Sequence, residues 1–456
     1  MQIPRHIFKA YDIRGLVNED INDDFAYMLG RAFATWLARK VEIRPLVVAV
    51  ARDMRDSSPG YQTAVMRGLV DSGVKVLDIG LTSTPAYYFG VGHTGAHGGV
   101  QVTASHNPAQ WNGFKLVREK AMPVSGDSGI QEIADIIEQD AFMEKSEGGS
   151  IEIAQGIPEL HVEAEMKFSG DGEIKPFKVV ADPGNGMGAQ YLDLMFKKMN
   201  LDVERMYWEL DGSFPNHESN PFKDENVKDI KDKVLEVGAD LGIATDGDGD
   251  RIFFIDNKGE LVEPAMIRGI LAQVMLRRYP GATICYDIRP GKITPDMIEE
   301  AGGTPVITRV GHSLIKEKMD EVDAVFGGES SGHFFYRFDT GTYEGPVVVA
   351  MQILQEITAS GKTFSEFIQP LKRYVHSGEI NFTVKDKDEA IRKIKEKFAD
   401  GELSELDGIM IAYDDFWFNV RTSNTEPVLR LNLEAVDQST MEQRRDQIKQ
   451  LIESES

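Results

Sequence analysis

The stretch "TDGDGDR" sets Asp246, Asp248 and Asp250 on alternate positions, with glycines between them that let the backbone curl. Three carboxylates converging on one point suit a hard cation such as Mg2+. A calcium EF-hand also opens on alternating acids, but it needs glycine at position six and glutamate at position twelve. This chain has Arg251 and Asn257 there. In "TASHNPAQWNGFK" a serine, Ser105, stands beside His106 and ten residues before Lys115. A hydrolase dyad is the conventional reading, yet neighbours on a tight loop point apart and no G-x-S-x-G elbow surrounds Ser105. A helix cap is the plainer alternative. "GGESSGH" places Glu329, Ser331 and His333 at spacing two, so an extended loop would turn all three to one side. A carboxylate, a hydroxyl and an imidazole together suit vicinal sugar hydroxyls. "RTSNTEP" gathers Arg421, Ser423, Asn424 and Thr425, the chemistry of a phosphate clamp or of a hairpin turn. "GNGMGA" after "FKVVADP" fits a dinucleotide fingerprint, but Asp182 would face the pyrophosphate, and a tight strand-to-helix turn explains it equally.

These motifs need elements to position them. "PLVVAVARD", "FKVVADPGNG" and "ATICYDIRPG" each open a run of short β-branched strands alternating with helical segments. This pattern predicts α/β layers. In each of the three units the third strand ("GGVQVTASHNP", "ADLGIATDGDGDR", "VDAVFGGESSGH") runs into a polar loop, and another apolar run follows it. Loops beyond the carboxyl ends of strands are where open α/β sheets gather ligands. The last segment, with "INFTV", "KDEAIRKIKEKFAD", "GIMIAYDDFWFNV" and "VLRLNLEA", reads as a small α+β domain. The expected boundaries are 1–150, 151–253, 254–369 and 370–456.

Composition narrows the partners. A formal net charge of -24 excludes general binding to a nucleic-acid backbone, which needs clustered Lys and Arg. An acidic chain that handles anions must gather its cations, or a metal, in one place. The single cysteine, Cys285, leaves no internal disulfide and no thiolate metal cluster. No run approaches the roughly 18 apolar residues of a membrane helix, and "MQIPRHIFKAYDIRG" lacks a signal-peptide core. The expectation is a soluble cytoplasmic protein, monomer or weak homo-oligomer, acting on small molecules.

Taken together, "TASHNP", "TDGDGDR", "GESSGH" and "RTSNTEP", in this order, resemble the four signatures of the α-D-phosphohexomutases. "FKAYDIRG", "RDMRDSSP", "FPNHESNP" and "GHSLIKEKM" look like the phosphomannomutase/phosphoglucomutase branch rather than the phosphoglucosamine branch, whose opening is usually "GTDGIRG"-like. The resemblance covers essentially the whole chain. It implies three related α/β domains with mixed sheets around a central cleft, plus a smaller C-terminal α+β domain. It also implies a phosphoserine at Ser105 that, with Asp246, Asp248 and Asp250, holds Mg2+. The activity implied is interconversion of hexose 1-phosphate and hexose 6-phosphate, of mannose or glucose, through a hexose 1,6-bisphosphate. Lys115 and Arg251 would supply charge, with Lys115 and His333 as candidate acid and base. Glu329, Ser331, His333, His312 and Arg289 would hold the sugar. Arg421, Ser423, Asn424 and Thr425 would hold the distal phosphate, and Tyr11, Arg14 and His106 would line the cleft.

Three positions depart from the pattern. Arg289 stands where the branch commonly has lysine, Thr340 where a second acid is expected, and Ala51 replaces a glycine. The first two bear on sugar contacts. Competing readings are a phosphoglucosamine mutase, a phosphatase with Asp246 as nucleophile and Asp248 as acid, an NAD-dependent oxidoreductase and a non-catalytic sugar-phosphate sensor.

Overall fold

The computed structural model describes residues 3–422 and 428–453. The chain forms two compact units, Met1–Val262 with Ser331–Ser365, and Glu263–Ser330 with Glu366–Ser456.

The first unit carries two mixed sheets. One contains β1 (Ile13–Leu16), β2 (Val47–Arg52), β3 (Lys75–Leu81), β4 (Gly98–Val102), β5 (Trp111–Arg118) and β6 (Ser150–Ile153), in the order β1-β5-β4-β2-β3-β6. Strands β4, β2, β3 and β6 run parallel, and β5 lies antiparallel between β1 and β4. Strand β4 is buried along its whole length, which is why it reads as a run of small and apolar residues without alternation. The helix Asp23–Lys40, which the motif pattern did not reveal, starts where Asn22 accepts the Phe25 N–H at 2.9 Å. Acids in its first turn and bases in its last complement its dipole. Its Phe25, Leu29, Phe33 and Trp36 enter the core with Val48, Val50 and Val100.

The other sheet contains β7 (Lys178–Asp182), β8 (Asp202–Arg205), β9 (Leu241–Thr245), β10 (Ile252–Asp256) and β11 (Leu261–Val262), in the order β11-β10-β9-β7-β8. Here too the polar loop lies at the end of a fully buried strand, since β9 has no exposed residue and leads straight into Asp246. A hairpin, Phe334–Phe338 with Gly341–Glu344, also belongs to this unit and pairs Phe335 with Glu344 and Phe338 with Gly341.

In the second unit, strand Thr283–Asp287 is flanked in parallel by Thr304–Thr308 and Phe326–Gly328. The remaining sheet is antiparallel, in the order Val375–Phe382, Leu429–Ala435, Phe416–Thr422, Ile409–Ala412, Glu402–Ser404. Helices Lys387–Lys397 and Gln438–Glu453 bury Ile394 and Ile448 against its Phe418 and Leu431. The first of these strands begins well before "INFTV", at Val375. The strand at Glu402 was not legible either, because "ELS" carries no alternation.

Candidate active site

Strands β4 and β9 end on the two loops with the richest chemistry, and in the first unit those loops meet. The Ser105 hydroxyl donates to Asp246 Oδ2 at 2.9 Å. Ser105 has φ of 50°, in the left-handed region that a side chain enters only at a cost. Its N–H donates to Thr103 Oγ1 at 2.9 Å, which helps to hold that conformation. The glycines of the acidic loop now have specific reasons. A Cβ on Gly247 would lie 2.4 Å from the Ser105 carbonyl oxygen, and Gly249 has φ of 75°.

The same backbone conformation corrects one sequence expectation. Adjacent serine and histidine were expected to point apart, yet Ser105 Oγ lies 3.1 Å from His106 Nδ1. The left-handed twist brings the two side chains together. Burial, reinforced by the positive charges of Arg251 and Arg14, pulls the His106 imidazole well below its ordinary pKa. With Asp246 ionised, the hydroxyl proton points to the carboxylate, and His106 meets Oγ as a neutral ring.

The three aspartates are buried, and one carboxylate oxygen from each lies within 4.8 Å of the others. Lys115 on β5, itself buried, donates to Asp248 Oδ2 at 2.7 Å and also pairs with Asp250. Burial disfavours its charge, but the two carboxylates outweigh this and hold the ammonium above its usual pKa. His333 Nε2 lies 3.2 Å from Asp250 Oδ1, and Arg251 Nε lies 3.7 Å from Asp246 Oδ2. Lys115 and His333 override burial and keep Asp250 well below the carboxylate range. Asp246 behaves differently: burial, with Asp250 and Asp248 beside it, pushes it up to about 7. Asp248 Oδ1 is buried with no hydrogen-bond partner among the described residues. An all-oxygen, convergent, under-neutralised set of this kind fits a hard divalent cation.

The other expected residues fall in two groups. Arg14 and half-buried Tyr11 belong to the first unit. Asp12 Oδ2 accepts from the Arg14 guanidinium at 2.8 Å, and Arg14 reaches Asn107 Oδ1 at 2.5 Å. Ser331 Oγ is 3.0 Å from His333 Nδ1. Glu329, Arg289, His312 and Arg421 belong to the second unit. Glu329 Oε1 accepts the Gly311 N–H at 2.6 Å, at the start of the helix that His312 opens. Arg289 pairs with Asp287. Arg421 is buried on its strand, which pulls its pKa down, as does neighbouring Arg289. Ser423, Asn424 and Thr425 lie outside the described residues.

One further expectation changes, and one departure from the family pattern gains a local setting. The segment 329–333 is a turn with Gly332 at φ of 87°, so it does not present its side chains in extended alternation. Thr340 sits at the tip of the hairpin, the far end from His333, and its hydroxyl is 2.6 Å from the Tyr343 hydroxyl. There a threonine–tyrosine pair stands where the resemblance expects a second acid.

Sequence reasoning missed Thr84, whose hydroxyl donates to Asp248 Oδ2 at 2.7 Å and whose N–H donates to the Asp248 carbonyl at 2.9 Å. Its only signal was the "STP" helix start, where Ser83 is the N-cap. It also missed buried Glu344, grouped with Asp250 and His333. "GNGMGA" proves to be the tight turn: Gly184 and Asn185 have φ of 56° and 59°, and the Met187 N–H donates to the Gly247 carbonyl at 2.8 Å. That turn braces the acidic loop.

A serine hydroxyl against an under-neutralised acidic triad, on repeated α/β layers, is compatible with phosphoryl-transfer chemistry. Comparison with known proteins agrees. The four domains of the phosphoglucomutase/phosphomannomutase family, alpha/beta/alpha domains I, II and III and the C-terminal domain, match residues 5–144, 161–259, 263–374 and 379–451. The Escherichia coli (strain K12) phosphomannomutase is 38% identical over 437 residues, covering 94% of each chain. The Xanthomonas campestris pv. campestris (strain B100) protein named "Phosphohexose mutases" is 38% identical over 449 residues, covering 98% of each. A crystal structure of a phosphoglucomutase/phosphomannomutase family protein from Burkholderia thailandensis superposes with a TM-score of 0.88 at 32% identity, covering 99% of this chain and 98% of that one. The chain belongs to the phosphoglucomutase/phosphomannomutase family.

Proposed function

We propose that this hexose-phosphate mutase interconverts the 1- and 6-phosphates of mannose or glucose with Ser105 as phosphoryl carrier. The mutase activity itself follows from the family and its relatives. The observation that carries the carrier role is the Ser105 hydroxyl at 2.9 Å from Asp246, inside the triad that Lys115 bridges.

The phosphorylated serine gives its phosphoryl group to the free hydroxyl of a hexose 1-phosphate. The Ser105 Oγ–P bond breaks, a sugar O–P bond forms, and the hydroxyl proton passes to a base. A hexose 1,6-bisphosphate results. It reorients and returns its other phosphoryl group to Ser105 Oγ, and the sugar oxygen left behind regains a proton. Asp246, Asp248 and Asp250 would hold Mg2+, which when bound neutralises charge on the transferring group. Lys115, held as an ammonium by two carboxylates, suits charge stabilisation better than proton acceptance. That leaves His333, oriented by Ser331 and Asp250, as the stronger acid–base candidate. His106, neutral against Oγ, orients the serine.

Glu329, Arg289 and His312 remain the proposed sugar contacts, and Arg421 with Ser423, Asn424 and Thr425 the proposed phosphate clamp. The phosphatase reading loses ground because both Asp246 oxygens are engaged, one by Ser105 and one by the Arg251 N–H at 3.1 Å. No helix is long and apolar enough to cross a membrane among the described residues.

The test combines intact and peptide mass measurement with mutase assays of mannose, glucose and glucosamine 1-phosphates under identical Mg2+ and bisphosphate. Phosphate on Ser105 and loss of turnover in Ser105→Ala are expected. Full activity of Ser105→Ala would overturn the mechanism.

A further inference from the structure

The sequence segments "RDMRDSSP" and "FPNHESNP" have no part in the chemistry above, yet both arrive at the Ser105 loop. Arg55, from the first, is 1% exposed. A guanidinium carries five N–H donors in a planar fork, and here every one is spent. Nε donates to Asp53 Oδ2 at 3.2 Å. Nη1 donates to the carbonyls of Pro108 and Trp111, each at 2.9 Å. Nη2 donates to the carbonyls of Ser105 at 2.8 Å and Asn107 at 2.6 Å. Asp53 is fixed in turn by the Arg55 N–H at 3.0 Å and the Ser58 hydroxyl at 2.6 Å.

Four of those five bonds therefore reach backbone carbonyls within the Ser105 loop and at the start of β5. One of them is the carbonyl of Ser105, the residue in the costly left-handed conformation. The second segment closes over the guanidinium. Phe214, also at positive φ (51°), places its ring 5.1 Å from the Arg55 guanidinium carbon. Gly212 lies so close that a Cβ there would meet the Arg55 Cα at 2.5 Å. A Cβ on Gly247 would meet the Phe214 ring at 3.6 Å as well as the Ser105 carbonyl at 2.4 Å, so the acidic loop lies close to both.

We infer that Arg55 is a positioning residue for phosphoryl transfer, locking the Ser105 loop through its carbonyls under the Phe214 ring. It touches no reacting atom; it sets where Oγ sits relative to the acidic triad. Misplacing a reacting atom by about 1 Å costs on the order of 100-fold in rate. A lysine in its place offers three donors and no fork, so it cannot span four carbonyls.

The inference rests on the carrier role of Ser105, and the experiment separates the two. Arg55→Lys, Arg55→Ala and Ser105→Ala are assayed with Mg2+ and glucose 1,6-bisphosphate, alongside Mn2+ binding followed by electron paramagnetic resonance. Arg55→Lys is expected to lose about 100-fold in kcat, with KM for the sugar phosphate and Mn2+ affinity each within about threefold of the parent. Guanidinium chloride at sub-denaturing concentration is expected to restore activity to Arg55→Ala, which a general loss of structure would not allow. If Arg55→Ala does not fold, the kcat-against-KM split of Arg55→Lys decides. An Arg55→Lys kcat within twofold of the parent overturns the inference, as does a kcat loss that parallels lost Mn2+ affinity. If Ser105→Ala is inactive in that same experiment, the carrier reading stands without it; if Ser105→Ala is active, the carrier reading itself falls.

Discussion

Two buried aspartate centres in this chain are built on opposite principles. In the second unit Asp287 sits alone between two arginines: Oδ1 accepts from Arg268 at 2.6 Å and from the Ser330 hydroxyl at 2.9 Å, while Oδ2 pairs with Arg289. Its charge is over-compensated, and Arg268 is anchored further by Thr294 at 2.9 Å. In the first unit three aspartates crowd together with one buried lysine, a histidine and a more distant arginine. One centre pairs its single carboxylate with two guanidiniums, one of them on Arg289, a proposed sugar contact. The other bears an electrostatic cost that a bound cation would relieve. A buried, under-compensated set of carboxylates is compatible with a cation, whereas a paired one needs none.

The sharpest test of that contrast takes one aspartate from each centre. Asp248→Asn is expected to lower mutase turnover by about 1000-fold. The melting temperature of its metal-free form should stay level or rise, because one like charge leaves the cluster. A clear fall in that melting temperature would mean the triad is structural after all. Conversely, Arg268→Ala should cost about 3–5 kcal/mol in urea unfolding, because it breaks a fully buried ion pair and empties the space of a large buried side chain. A cost below about 1 kcal/mol would erase the distinction between the centres.

Mg2+ should raise the melting temperature of the parent measurably and that of Asp248→Asn far less; equal shifts would place the ion elsewhere. A smaller packing effect is expected at Gly247→Ala, whose methyl would lie 2.4 Å from the Ser105 carbonyl oxygen. Overpacking there should cost about 1–3 kcal/mol and also reduce turnover, whereas an unchanged kcat would show that the two loops tolerate separation.

The smallest effect concerns a third carboxylate of intermediate kind. Glu434 accepts from the Lys292 N–H at 2.9 Å and the Trp417 ring N–H at 2.8 Å, yet burial pushes it up to about 7. Its folded pKa lies above the unfolded value, so the folded state holds the proton longer. Stability should therefore fall as pH rises from about 4.5 to 7, by at most about 3 kcal/mol, and then level off. Glu434→Gln should flatten that slope in pH-dependent unfolding; an unchanged slope would assign it to another group.

Much of this was legible in the residues because it depends on local chemistry. Alternating aspartates with glycines between them are rare outside cation sites, and strands buried on both faces read as unbroken apolar runs. The repeated placement of polar loops after the third strand pointed to the Ser105 and Asp246 loops, which the structure brings together. Arg55, Thr84 and Glu344 were invisible for a different reason. Each acts on a residue far away in sequence: Arg55 on Ser105, Thr84 on Asp248 and Glu344 beside Asp250. A lone arginine or threonine carries no periodicity that announces such a partner.

By itself, then, the sequence determined the class of chemistry and the layered α/β architecture, and singled out the Ser105 and aspartate loops, because residue type and spacing encode them. Only the tertiary structure decided that Ser105 adopts a left-handed conformation, that His106 meets it, and that Arg55 and Thr84 reach the Ser105 and Asp248 loops. The Arg55 and Thr84 contacts join groups 50 and 164 positions apart in the chain. Only packing fixes contacts at such separations.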